Sequence, residues 1–123
     1  MELAFVIALN PASKKNSQQI VYPKGRKPVV VQNEIYKKYE KACKKWCEGL
    51  VDEPINAPCE VTALFYRKDR RRCALTNLMA ALHDVLVKYG VVKDDNFTII
   101  YSVDGSRVFV DPERPRTEVT IKW

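Results

Sequence analysis

Leu75, Leu78, Met79, Leu82, Val85, Leu86 and Tyr89 recur every three or four residues, and Gly90 follows them as a stop signal. A helix with so broad an apolar stripe must bury it against a second layer, and that requirement constrains the fold more than any other feature. The available partners are short runs of strand formers at 2–8, 59–66, 97–103, 107–110 and 117–122. Residues 32–50 carry a second helical pattern, with Ile35, Tyr36, Tyr39, Ala42, Cys43, Trp46, Cys47 and Leu50 on one face of about five turns. Residues 19–22 and 28–31 flank Pro23-Lys24-Gly25-Arg26-Lys27, a hairpin with a basic tip. Turns fall at Asp104-Gly105 and 112–115. The order strand, hairpin, helix, strand, helix, strands predicts an α+β fold: a mixed sheet with two main helices, in one domain spanning 1–123.

With 46% apolar and 29% charged residues, the chain is balanced as globular proteins are, which excludes a disordered segment. No apolar run reaches the length of a membrane span, and residues 1–9 lead into no signal-type cleavage site, so an intracellular, cytoplasmic protein is expected. Cys43, Cys47, Cys59 and Cys73 lack zinc-knuckle spacing; free thiols are the expectation, with a four-cysteine zinc site as the alternative. Lysine and arginine outnumber the acids by 21 to 15, a net charge of +6 that favours an acidic partner without naming it.

That charge is concentrated. Arg67-Lys68-Asp69-Arg70-Arg71-Arg72 sets five cations within six residues just before the 75–89 helix, and Asp94-Asp95 follows it. Clustered cations suit a polyanion, and adjacent carboxylates offer the hard oxygen ligands that Mg²⁺ takes. Together they point to a metal-dependent nuclease, although a charge run is ordinarily a solvated face and Asp-Asp pairs are common in turns. Lys14, Lys15 and Asn16 lie in a polar loop suited to gripping phosphate or simply to solvation, and Lys24, Arg26 and Lys27 could lie along a groove. On the polar face of the 75–89 helix, Asn77, Ala80, Ala81, Asp84 and Lys88 come together, and Asn77 and Asp84 point toward one site. His83 beside them reads as a surface histidine without a catalytic role in preference to a general base.

These residues resemble the RusA-type Holliday junction resolvases, in particular their phage and prophage members. The likeness runs from Pro11-Ala12-Ser13-Lys14-Lys15-Asn16-Ser17 to Pro115-Arg116-Thr117-Glu118-Val119-Thr120-Ile121. Its specific part is Asp69-Arg70-Arg71-Arg72, Leu75-Thr76-Asn77-Leu78, Asp84-Val85-Leu86 and Gly90-Val91-Val92-Lys93-Asp94-Asp95. The resemblance implies a dimeric, Mg²⁺-dependent endodeoxyribonuclease, Mn²⁺ being the alternative ion, that nicks two strands of a four-way junction symmetrically in a bacterial host cell. It implies that Asp95, with Asp94 beside it and Asp84 nearby, holds metal. Arg67, Lys68, Arg70, Arg71 and Arg72 would then hold the DNA backbone, alongside Lys14, Lys15 and the hairpin tip. The rival from another class is a non-catalytic branched-DNA or nucleic-acid-binding module in which Asp94-Asp95 is only a turn; a protein-interaction domain with solubilising charge is a third. Tyr36, Trp46 and Trp123 are candidates for a dimer surface, with core roles open for the tryptophans.

The chain departs from the family pattern at three positions. An essential carboxylate is expected immediately before the Leu-x-Asn-Leu segment, and Ala74 stands there. Thr76 replaces an aspartate of the best-known members and could hold a metal-bound water or cap the helix. Ala80 replaces a lysine, for which Lys88, Lys93 or a lysine of the Lys14-Lys15 loop could substitute. Ala74 is the serious departure, since a methyl group cannot bind metal. It reads as an engineered Asp-to-Ala silencing change, a natural loss of catalysis in a junction binder, or a metal site moved to other carboxylates.

Overall fold

The fold is taken from a computed structural model that describes residues 1–14, 18–21, 24–27, 29–32 and 34–123. A five-stranded sheet is built on β4 (Cys59–Arg67), the longest strand. On one side β4 pairs antiparallel with β7 (Arg116–Lys122), which pairs antiparallel with β1 (Glu2–Ile7). On its other side β5 (Ile100–Ser102) and β6 (Arg107–Val110) both run parallel to it. A separate hairpin joins β2 (Gln18–Val21) to β3 (Val29–Gln32). The α+β architecture with a mixed sheet is therefore the one the sequence predicts.

Alternation decides which face is covered. Cys59, Val61, Ala63 and Phe65 of β4 and Thr117, Val119 and Ile121 of β7 are buried, while the residues between them are half-exposed. The buried set forms one core with Leu78, Leu82, Val85 and Leu86 of α3 (Leu75–Lys88) and with Tyr36 and Tyr39 of α1 (Glu34–Ala42). Ala81 belongs to this core at 2% exposure, contrary to the polar-face assignment, because the apolar stripe is wider than its large residues suggest. Ile35 lies outside the stripe and is exposed.

One local expectation is corrected. The 32–50 helix is divided into α1 and a short α2 (Lys44–Cys47) at Cys43. Tyr89 explains the break: its hydroxyl donates at 2.7 Å to the carbonyl oxygen of Glu40, the acceptor that Lys44 would use in an uninterrupted helix. The Asp104-Gly105 turn forms where the sequence places it, and β5 and β6, both parallel to β4, are two pieces of one edge separated by a bulge. Thr62 Oγ1 donates to the Asp104 carbonyl and the Ala63 amide to Ser106 Oγ, each at 3.0 Å, so side chains replace the ladder there.

Tyr36 is buried and is thereby removed from the candidates for a dimer surface; Trp46 and Trp123 are half-buried against the core. Cys43, Cys47 and Cys59 are buried, Cys73 is half-buried, and all are free thiols. Burial pushes the Cys43 and Cys47 thiols up to about 11 and about 12, which makes them poor metal ligands. Among the described residues no helix is long and apolar enough to cross a membrane.

Candidate metal and DNA site

The last residue of β4, Arg67, leads directly into the basic loop, and internal bonds shape that loop. Asp69 accepts from the Arg71 amide at 3.0 Å, and chiefly this bond holds its carboxyl below the usual range. Arg67 donates to the Arg71 carbonyl oxygen, so it braces the loop. Asn10 accepts from the Lys68 amide at 2.9 Å, which pins the N-terminal segment against the same loop. With the backbone so held, Lys68, Arg70, Arg71 and Arg72 are oriented outward, Arg70, Arg71 and Arg72 being the most basic run of the surface. Lys24, Arg26 and Lys27 are exposed at the separate hairpin's tip. Lys15 and Asn16 lie outside the described residues.

The loop ends at the start of α3, where Ala74 is the N-cap residue. Its φ of −73° and ψ of 137° are the extended values of a cap, and its carbonyl accepts from Asn77 and Leu78 at 3.1 and 3.2 Å. No side chain caps the helix here, and its first turn contains no acid. Thr76 lies inside the helix and so cannot be its cap. Thr76 and Ala80 are exposed, whereas Asn77 is half-buried. An aspartate at position 74 would thus have had two tasks available to it, capping orphan amides and presenting an oxygen to a metal.

The other end of α3 is closed by the backbone. Gly90 has a φ of +72°, and the Val91 amide returns to the Leu86 carbonyl at 2.9 Å in a Schellman-type stop. Ile55 then exchanges bonds with Val91 and Lys93 at 3.0 and 2.9 Å, which fixes the start of the acidic turn. Within that turn Asp94 accepts from the Asp95 amide at 2.7 Å through Oδ1 and from Asn96 Nδ2 at 3.0 Å through Oδ2. Those bonds, the first above all, hold its carboxyl below the ordinary range. Asp94 thus builds the turn that presents Asp95 to solvent.

Asp84 lies in the third turn of α3, and Lys14 Nζ lies 2.6 Å from its carboxylate. His83 is half-buried instead of lying on the surface, with Nε2 buried and unbonded. Burial lowers its pKa, opposed by the Asp95 and Asp84 carboxylates. Sequence reasoning missed Glu40 and Tyr36 nearby. Glu40 accepts from Tyr36 at 3.0 Å and from Lys88 at 2.6 Å. The signal was available, since Glu40 interrupts the stripe Tyr36, Tyr39, Cys43, Cys47 with an acid.

A two-metal phosphodiester site needs several free carboxylate oxygens converging on the ions. Here Asp94 is engaged by its own turn, Asp84 by Lys14, and position 74 offers a methyl group, leaving Asp95. No group of three or more histidine, cysteine or acidic side chains that could hold an ion occurs among the described residues. The donor set of this chain therefore does not fit the metal centre that the resemblance implies, and a four-cysteine zinc site is absent from the described residues as well.

A family model described as Endodeoxyribonuclease RusA matches residues 8–122. No curated protein matches the chain.

Proposed function

The chain belongs to the endodeoxyribonuclease RusA family, and from that premise we propose that it is a phage- or prophage-encoded, cytoplasmic member, one domain over 1–123, that binds four-way DNA junctions as a homodimer. Its binding surface comprises Lys68, Arg70, Arg71 and Arg72, with Arg67 bracing them, and extends to Lys14, Lys15, Asn16 and the tip residues Lys24, Arg26 and Lys27. Cations on a braced loop suit phosphate contacts, which set register and carry no base preference. A twofold dimer suits a junction, which presents two equivalent strands.

Paired symmetric nicking with Mg²⁺, or with Mn²⁺, is the family reaction proposed for this framework once a carboxylate stands at position 74, which would join Asp95 and Asp84 as ligands, with Asp94 holding the turn and Asn77 and Thr76 on the adjoining face. The chain as it stands is silenced at Ala74 and acts as a junction binder. The observation that carries this reading is the extended N-cap geometry of Ala74, directly beside the basic loop and without a capping side chain. Asp is among the best residues for such a cap, so the backbone there is already suited to the side chain the family pattern expects.

The test is a labelled four-way junction incubated with Mg²⁺ and the Ala74→Asp protein. Paired nicks from that variant and none from the unaltered protein are expected, with no comparable cutting of linear duplex. Junction binding with no cleavage by either protein, at ion concentrations up to saturation, would leave the purely non-catalytic module as the correct reading.

A further inference from the structure

The sequence leaves Lys88, Lys93 and a lysine of the Lys14-Lys15 loop as sources for the cation missing at Ala80, and the structure distinguishes the three among the described residues, Lys88, Lys93 and Lys14. Lys88 is held by Glu40 at 2.6 Å and lies over the Tyr89 ring. Lys93 is exposed and makes no ion pair among the described residues. Lys14 alone of the three reaches a carboxylate on the site face, Asp84, at 2.6 Å. Its ammonium also lies 5.7 Å from the centroid of the Tyr36 ring, which adds a cation–π attraction. The segment that delivers it is anchored: Ser13 is buried, Cys73 Sγ lies 3.6 Å from Ser13 Oγ, and Asn10 holds the Lys68 amide. Lys14 is therefore carried into place by the same bonds that brace the basic loop.

We infer that Lys14 is the resident cation of this site, an ammonium that neutralises Asp84 where a divalent ion would otherwise bind and that makes DNA binding independent of metal. The inference rests on the proposed site but concerns the chain's own lysine. A +1 charge in contact with Asp84 must be displaced before that carboxylate can coordinate an ion, and so it competes directly with Mg²⁺ or Mn²⁺. Without it, the bare Asp84 charge would repel an approaching phosphate unless a metal took the place of the ammonium.

The test compares the unaltered protein with Lys14→Met and Lys14→Arg in Mn²⁺ titrations without DNA, followed by paramagnetic broadening of backbone amide signals. Lys14→Met should bind Mn²⁺ about tenfold more tightly or better, with broadening that reaches Asp84 and Asp95, because an adjoining positive charge has been removed. Lys14→Arg, which keeps the cation, should bind as weakly as the unaltered protein. In chelator, Lys14→Met should bind junction DNA more weakly and recover on addition of Mn²⁺, whereas the unaltered protein binds equally well in both conditions. Equal Mn²⁺ affinity for all three proteins, or broadening that spares Asp84, overturns the inference. Failure of every protein to bind junction DNA would instead count against the proposed function, since the titration without DNA still decides the role of Lys14.

Discussion

The two ends of α3 meet the same physical requirement in opposite ways. At the C-terminal end the exposed carbonyls are taken up by the Gly90 turn, the Leu86 acceptor is used, and Ile55 ties the following segment to the body of the protein. Asp94 then bonds its own turn and leaves Asp95 outward. At the N-terminal end Ala74 has the backbone of a cap and no group to cap with, although three arginines stand just before it. A helix N-terminus attracts anions through its free amides and its dipole, and here the arginines strengthen that pull. The first turn contains no acid, which suits the phosphate contacts proposed for the arginines.

Removing the cations from the N-terminal end should have the largest effect. Arg70→Ala, Arg71→Ala and Arg72→Ala combined should reduce the salt dependence of junction binding by roughly 0.9 for each phosphate no longer neutralised, as counterion release requires. Binding measured across a range of salt concentrations checks this, and an unchanged slope would mean that the arginines do not touch the backbone. Lys88→Ala and Lys93→Ala, at the opposite end, should leave the slope nearly unaltered.

Stability sharpens the contrast next. Gly90→Ala should destabilise the protein by about 1–2 kcal/mol, because a side chain is strained at positive φ even though Pro54 is the nearest neighbour, 3.9 Å from the added carbon. Ala74→Asn should do the reverse, adding about 0.5–2 kcal/mol by capping the orphan amides. Urea unfolding of the two variants measures both. A neutral Ala74→Asn would show that the amides are already satisfied by water.

The smallest effect concerns His83, which feels the carboxylates of Asp84 and Asp95. Burial holds its folded pKa below the ordinary 6.5. The unfolded imidazole therefore binds a proton more readily than the native one, so this contribution to stability is intact above pH 6.5 and drains away as the pH falls below it. His83→Gln should flatten that part of the stability profile between about pH 7 and pH 5, measured by unfolding at several pH values. A profile unchanged by the substitution would place the titration elsewhere.

Much of this arrangement was legible in the sequence because it is local. The spacing of Leu78, Leu82, Val85 and Leu86 marks α3, Gly90 marks its end, and the run from Arg67 to Arg72 marks the basic loop. The pairings that assemble the site were not legible, because they join residues far apart in the chain. Lys14 meets Asp84, and Lys88 meets Glu40, through the docking of one element on another, which periodicity does not record. The bulge between β5 and β6 was hidden for a related reason: the Asp104-Gly105 turn is marked locally, but the bonds through Thr62 and Ser106 that hold it against β4 join residues far apart. The cap geometry of Ala74 was likewise not legible and emerged from the backbone.

Of the three departures from the family pattern, the missing carboxylate at position 74 is proposed as the one that withholds cleavage. Side-by-side incubation of a labelled four-way junction with the unaltered, Ala74→Asn and Ala74→Asp proteins in Mg²⁺ tests it directly, since asparagine supplies the cap without the charge. Paired nicks are expected from Ala74→Asp alone, at a rate at least about two orders of magnitude above the others, the scale of one electrostatic group at a reacting phosphate. Equal nicking by the unaltered or the Ala74→Asn protein would contradict the proposal.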